Sequence, residues 1–140
     1  MPGRLYAESG QQYIYKVHIM DTLAHGKWGE EVALNYLLAN GYTFVSKRIR
    51  SRFGEIDLAV KDKEFIVFVE VKTRKNSNFA HACEYVTKSK QKKITATAKF
   101  WLSRYKSKLQ PRFDVIEVYA PDGQNTENPE IIHIENAFGV

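Results

Sequence analysis

GEIDLAVKDKEFIVFVEVKTR, residues 54–74, decides how the chain is built. Phe65 to Val71 is almost wholly β-branched or aromatic, the composition of a strand buried on both faces. Gly54 to Val60 reads as the strand before it. Lys61-Asp62-Lys63 breaks the two apart as a tight turn, so the pair forms an antiparallel hairpin. With that turn, Asp57 falls roughly opposite Phe68, and Glu70 is a diagonal neighbour or lies one pair further on. Glu70 and Lys72 are two residues apart and share a face, about 6.6 Å apart along the strand. A carboxylate and an ammonium at the end of a buried strand are costly unless they are paired or used.

Working outward from the hairpin, Tyr42 to Ile49 reads as a strand that completes a three-stranded meander, followed by the basic cluster Lys47, Arg48, Arg50 and Arg52. Residues 26–40 read as a helix. Val32, Ala33, Tyr36, Leu37 and Ala39 form its apolar stripe, and Asn40-Gly41 stops it. Glu30 and Glu31 lie in its first turns. Glu30 shares the side of Ala33 and Leu37, and Glu31 leads to Asn35 on the wet side. After the hairpin, residues 75–87 read as loop. Their His81, Cys83 and Glu84 lack any zinc-ligand spacing and are read as ordinary loop residues. Lys88 to Lys108 reads as a helix ended by Gln110-Pro111, with Ile94, Ala98, Trp101 and Tyr105 on its buried stripe. Arg112 to Tyr119 is a fourth strand, parallel to the third because a crossover helix precedes it. Ile131 to Ile134 is a short last strand. The fold class is α/β, in the order α-β-β-β-α-β-β.

The 140 residues suit one core, with 44% hydrophobic and 26% charged residues, which excludes a disordered tail. No apolar run approaches a membrane span, so no membrane role is expected. One cysteine cannot form an internal disulfide, which fits a reducing cytoplasm. Residues 1–20 lack an apolar signal core and read as a poorly ordered extension before a domain at 21–140.

The formal net charge is +5. Residues 88–108 hold eight basic residues and no acid. Solvated helix faces usually mix signs, so this one-sign face points to a polyanion, nucleic acid first. Arg48, Arg50, Arg52 and Arg74, with Lys88, Lys90, Lys92 and Lys93, are the residues expected to hold its backbone. Trp101 and Tyr105 fall on the apolar stripe and are read as core rather than as base-stacking groups.

Asp57 and Glu70, from adjacent strands, can converge on one Mg²⁺ or Mn²⁺, with the Val71 carbonyl as a further ligand. Lys72 on the same face can hold the attacking water and neutralise charge on a phosphate. Glu30 can add another acid. The simpler reading gives each a structural role: Glu70 with Lys72 or Asp57 with Arg74 as surface ion pairs, and Glu30 as an acid favoured by the helix dipole. Asp114 pairs with Arg112 or Arg74, or reaches toward the site.

Gly26-Lys27-Trp28-Gly29-Glu30-Glu31, Gly54-Glu55-Ile56-Asp57, Phe68-Val69-Glu70-Val71-Lys72-Thr73-Arg74, Lys90, Arg112-Phe113-Asp114-Val115 and Asn136-Ala137-Phe138 resemble the YraN family of bacterial proteins over roughly residues 24–138. That family resembles Holliday-junction resolvases and belongs to the PD-(D/E)XK nuclease superfamily. The family often has an Asn where Arg48 falls. The resemblance implies a restriction-endonuclease-like three-layer core, a central mixed five-stranded sheet flanked by helices. It also implies catalytic roles for Glu30, Asp57, Glu70 and Lys72, with Mg or Mn as cofactor. The activity it implies is a DNA endonuclease acting on branched or double-stranded DNA, as a homodimer if the cut is symmetric. The alternative is a non-catalytic nucleic-acid-binding or partner-docking protein on the same scaffold.

Overall fold

The computed structural model describes residues 14–75 and 86–139, with side chains from Gly26 onward. Helix α1 (Ile14–Ala39) is followed by β1 (Thr43–Ser51), β2 (Gly54–Lys61) and β3 (Phe65–Arg74). Then come α2 (Lys88–Leu102), β4 (Gln110–Tyr119) and β5 (Glu130–Phe138). The five strands make one sheet in the order β1-β2-β3-β4-β5. All neighbours are antiparallel except β3 and β4, which run parallel, as the crossover through α2 requires.

The helices cover opposite faces of the sheet. Trp28, Ala33 and Leu37 of α1 pack on Leu58, Val60, Val67, Val69, Ile116 and Val118. Ile94 and Ala98 of α2 pack on Ile49, Ile56, Ala59, Phe68, Phe113 and Val115. The strands β3 and β4 are buried from both sides, which accounts for their unbroken apolar runs. Trp101 packs half-buried against the core, edge-on to Phe68 at 5.8 Å, with Tyr105 stacked on it at 4.3 Å.

Several boundaries differ from those read in the sequence, each for a local reason. The first helix starts at Ile14 rather than at residue 26. The second ends at Leu102, well before Gln110-Pro111. Ser103 closes it, donating from its hydroxyl to the Phe100 carbonyl, and the chain then turns so that Gln110 can start beside Phe65. The last strand runs to Phe138 because Glu135–Ala137 bulges where the register against Phe113 and Val115 shifts. Residues 1–13 and the segment holding His81, Cys83 and Glu84 lie outside the described residues.

Helix α1 lies close on β3 because Gly29 faces Thr73. A Cβ at Gly29 would collide with Thr73 Oγ1 and sit 3.3 Å from its Cβ. Gly29→Ala is expected to cost about 1–3 kcal/mol in urea unfolding, the usual range for overpacking. Adding Thr73→Ala should recover most of that loss.

Candidate metal and nucleic-acid site

The hairpin register places the site. Asp62 Oδ1 accepts from the backbone N–H of Glu64 at 2.8 Å and of Phe65 at 2.7 Å, capping the loop with its own carboxylate. The loop is therefore wider than the tight turn expected at residues 61–63, and Lys61 pairs with Ile66. Leu58 then lies opposite Val69. Phe68 therefore pairs with Ala59, not Asp57, and Asp57, one residue beyond the end of this register, comes close to Glu70, one residue beyond Val69.

Asp57 also sits at a break in the alternation of β2. Ile56 and Ala59 both pack on the α2 side, whereas Leu58 and Val60 pack on the α1 side. The β1 pairs Lys47–Leu58 and Ile49–Ile56 flank the same point. Between them Arg48 adopts φ 52°, a left-handed conformation that Asn enters more readily than Arg. This kink frees the Asp57 side chain from either core. It reaches across to the next strand, where its Oδ2 accepts from the Val71 N–H at 2.8 Å. The N–H and C=O of one residue in an extended strand point to the same side, so the Val71 carbonyl also opens toward Asp57.

Asp57, Glu70, Val71, Lys72 and Lys90 line one cleft of about 280 Å³, with Glu30 and Gly26 of α1 at its rim. Burial, reinforced by the Glu70 charge, pushes the Asp57 carboxyl up from 3.8 to about 8. Two carboxylates this close cannot both ionise cheaply without a cation between them. Burial, with the adjacent Lys90 charge, lowers Lys72 from its ordinary value. Lys90 also loses by burial, but its ion pair with Glu70 outweighs that loss and holds it charged.

Glu30 pairs with Arg48 at 3.0 Å. Its carboxyl is raised by burial, a shift that Arg48 opposes and that Glu55 and Glu70 reinforce. Glu30 therefore joins the cleft through its charge and is already partnered by an arginine.

Two hard carboxylates and a strand carbonyl suit a cation that keeps several waters, such as Mg²⁺ or Mn²⁺. Among the described residues no three His, Cys, Asp or Glu side chains gather as a metal cage. The protein's share of such a shell would thus be Asp57, Glu70 and the Val71 carbonyl, leaving positions open for a phosphate.

The eight basic residues expected to bind a polyanion divide into three groups. Arg48, Arg74 and Lys90 turn inward to Glu30, Glu117 and Glu70. Arg50 pairs with Glu55 at the surface, and Arg52 lies over the Phe53 ring. Lys88, Lys92 and Lys93 are exposed on α2. Lys90 is the residue whose place the sequence concealed. Its signal was Ile94, four positions on and buried, which puts Lys90 on the sheet side of the helix while its neighbours face out.

Asp114 lies beside Val69 in the parallel register and, like Val69, serves the α1 face of the sheet. It takes two hydrogen bonds from Arg112, at 2.9 and 2.8 Å, and one from the backbone of Asn136 at 2.9 Å. His133 Nε2 lies 2.7 Å from its Oδ2, and Tyr36 of α1 lies 3.2 Å from His133 Nδ1. This network fastens α1, β4 and the β5 bulge together, away from the cleft.

The profile of the family described as "Uncharacterised protein family UPF0102" matches residues 29–118. The chain is 42% identical over 120 residues to a UPF0102 protein of Clostridioides difficile, covering 85% of this chain and all of that one. A UPF0102 protein of Thermodesulfovibrio yellowstonii is 41% identical over 81% of this chain and 94% of its own. One from Acinetobacter baumannii is 48% identical over 65% of this chain and 70% of its own. The matched span contains Glu30, Asp57, Glu70, Lys72 and Lys90, and the chain belongs to the UPF0102 (YraN) family.

Proposed function

We propose that the protein is a Mg²⁺- or Mn²⁺-dependent DNA endonuclease that hydrolyses phosphodiester bonds, with branched or double-stranded DNA as substrate. The observation that carries this is the convergence of Asp57 and Glu70, with Lys72 and Lys90, on one cleft. Asp57, Glu70 and the Val71 carbonyl would hold the cation. Such a cation supplies Lewis-acid polarisation of the phosphate and makes water a better nucleophile.

The chain's own groups do the rest. Lys72, partly desolvated, donates to the attacking water or to a non-bridging phosphate oxygen and stabilises the charge that grows there. Lys90 adds a fixed positive charge beside it. Lys88, Lys92 and Lys93 hold the DNA backbone by charge and without sequence preference. Water loses a proton to solvent as it attacks phosphorus, the bond to the leaving sugar oxygen breaks, and that oxygen takes up a proton from a water.

The test is cleavage of labelled four-way, forked, single-stranded and duplex DNA with Mn²⁺ or EDTA. Cleavage is expected with Mn²⁺ alone, and Lys72→Ala should slow it about 100-fold or more. Salt-sensitive binding with no hydrolysis under any condition would instead identify a non-catalytic nucleic-acid-binding protein. Cleavage that survives Asp57→Asn would place the active centre elsewhere.

A further inference from the structure

The β1–β2 hairpin ends in Ser51-Arg52-Phe53-Gly54, with Ser51 paired to Gly54. Two-residue hairpin turns usually carry Gly, Asn or Asp at their centre, with positive φ. Here the central residues are Arg52 and Phe53, neither at positive φ. Another device holds the turn. Ser51 Oγ accepts the Phe53 N–H at 3.0 Å and also lies 2.8 Å from Thr97 Oγ1 on α2. A Cβ added at Gly54 would lie 3.4 Å from Lys93 Cβ, so the turn runs close to α2. The tip is thus tied to the basic helix and cannot swing freely.

On this anchored tip Phe53 is 40% exposed, a large aromatic where a small polar residue would serve the turn better. Its surroundings are cationic. Arg52 lies over the ring at 4.9 Å, and Lys93 flanks the turn. An exposed aromatic among lysine and arginine is the composition of a platform for nucleic-acid bases, which stack on the ring while the cations hold the phosphates. Its reach fits as well. Phe53, in the turn before β2, lies four residues from Asp57, at most about 13 Å along the chain. That span equals about four stacked nucleotides, and fewer once a strand is unstacked.

We infer that Phe53 is a base-stacking residue that selects DNA with an unpaired nucleotide a few positions from the cleaved phosphate: a fork, flap or branch rather than continuous duplex. This rests on the DNA-endonuclease reading of the cleft and names its substrate class. A paired, stacked base has no free face for the ring, whereas a splayed base has one.

Binding in EDTA separates this inference from cleavage. Anisotropy is read on labelled duplex, single strand and a fork carrying 2-aminopurine as the first unpaired base. Phe53→Ala should weaken fork and single-strand binding about tenfold, within the range for stacking one base on an aromatic ring. It should leave duplex affinity unchanged within about twofold and abolish the change in 2-aminopurine emission on binding. Phe53→Trp should retain both properties. A Lys92→Ala/Lys93→Ala variant should weaken all three DNAs alike.

Unchanged fork affinity in Phe53→Ala, or an equal loss on duplex, overturns the inference, as does a wild-type protein that binds none of the three. Fork binding through Phe53 in a protein that never cleaves would remove the endonuclease reading and leave the stacking site standing.

Discussion

Asp57→Asn is expected to stabilise the metal-free protein by about 1–3 kcal/mol at pH 8, as replacing a poorly compensated buried charge does, while abolishing cleavage. The carboxyl is pushed up from 3.8 to about 8 by burial and the Glu70 charge. A raised carboxyl means that the folded state holds its proton more tightly than the unfolded chain does. The stability tied to that proton is complete below about pH 4 and is lost as the pH rises to about 8. Asn keeps an oxygen for the Val71 N–H and carries no charge at any pH. Urea unfolding in EDTA between pH 5 and 8.5 should therefore show the wild type losing stability with rising pH and the variant losing less. Parallel curves would mean that the two carboxylates do not confront each other. A gain in stability at the expense of function is what a site built to hold a cation should show.

Asp114→Ala is expected to be the most damaging single change, at about 3–5 kcal/mol, the range for breaking a buried ion pair from one side. Asp114 is fully buried, and it partners Arg112, His133 and the Asn136 backbone. Its removal leaves the largely buried Arg112 guanidinium without its main carboxylate and the β5 bulge without its acceptor. Asp114→Asn retains an acceptor and should fall between the variant and the wild type.

The pH sign here is opposite to that of Asp57. Burial alone would raise Asp114, but the hydrogen bonds from His133, Arg112 and Asn136 outweigh it and hold the carboxyl below 3.8. Its contribution is present above about pH 4 and is lost as the pH falls through the depressed value. Acid unfolding of the wild type at pH 2–5, set against Asp114→Asn, checks this. A loss under about 1 kcal/mol for Asp114→Ala would show that the network is not holding β5.

Much of this was legible in the chain because burial leaves a compositional mark. The run Phe65–Val71 could only be a strand covered on both faces, and β3 is that strand. The crossover through a helix required β4 to run parallel to it, and it does. The stripe of Ile94, Ala98 and Trp101 identified the sheet-facing side of α2.

What the sequence concealed depended on single side chains acting on the backbone. The carboxylate of Asp62 widened the hairpin loop, so that Phe68 pairs with Ala59 and Asp57 falls beside Glu70 rather than opposite Phe68. The positive φ of Arg48 and the reset of alternation at Asp57 leave no periodic signal. The inward turn of Lys90 was hidden among lysines of similar appearance, and the length of β5 depended on a bulge held by Asp114. Local chemistry of this kind sets register, and register sets which carboxylates meet.

The central claim is that Asp57 and Glu70 form one divalent-cation centre. Isothermal calorimetry of Mn²⁺ into the metal-free protein at pH 8, beside Glu70→Gln and Asp57→Asn, tests it most directly. The expected result is saturable binding by the wild type, with protons released to the buffer as the Asp57 carboxyl gives up its proton, and no binding by either variant. Binding of equal strength in all three proteins, or none in the wild type, would contradict it.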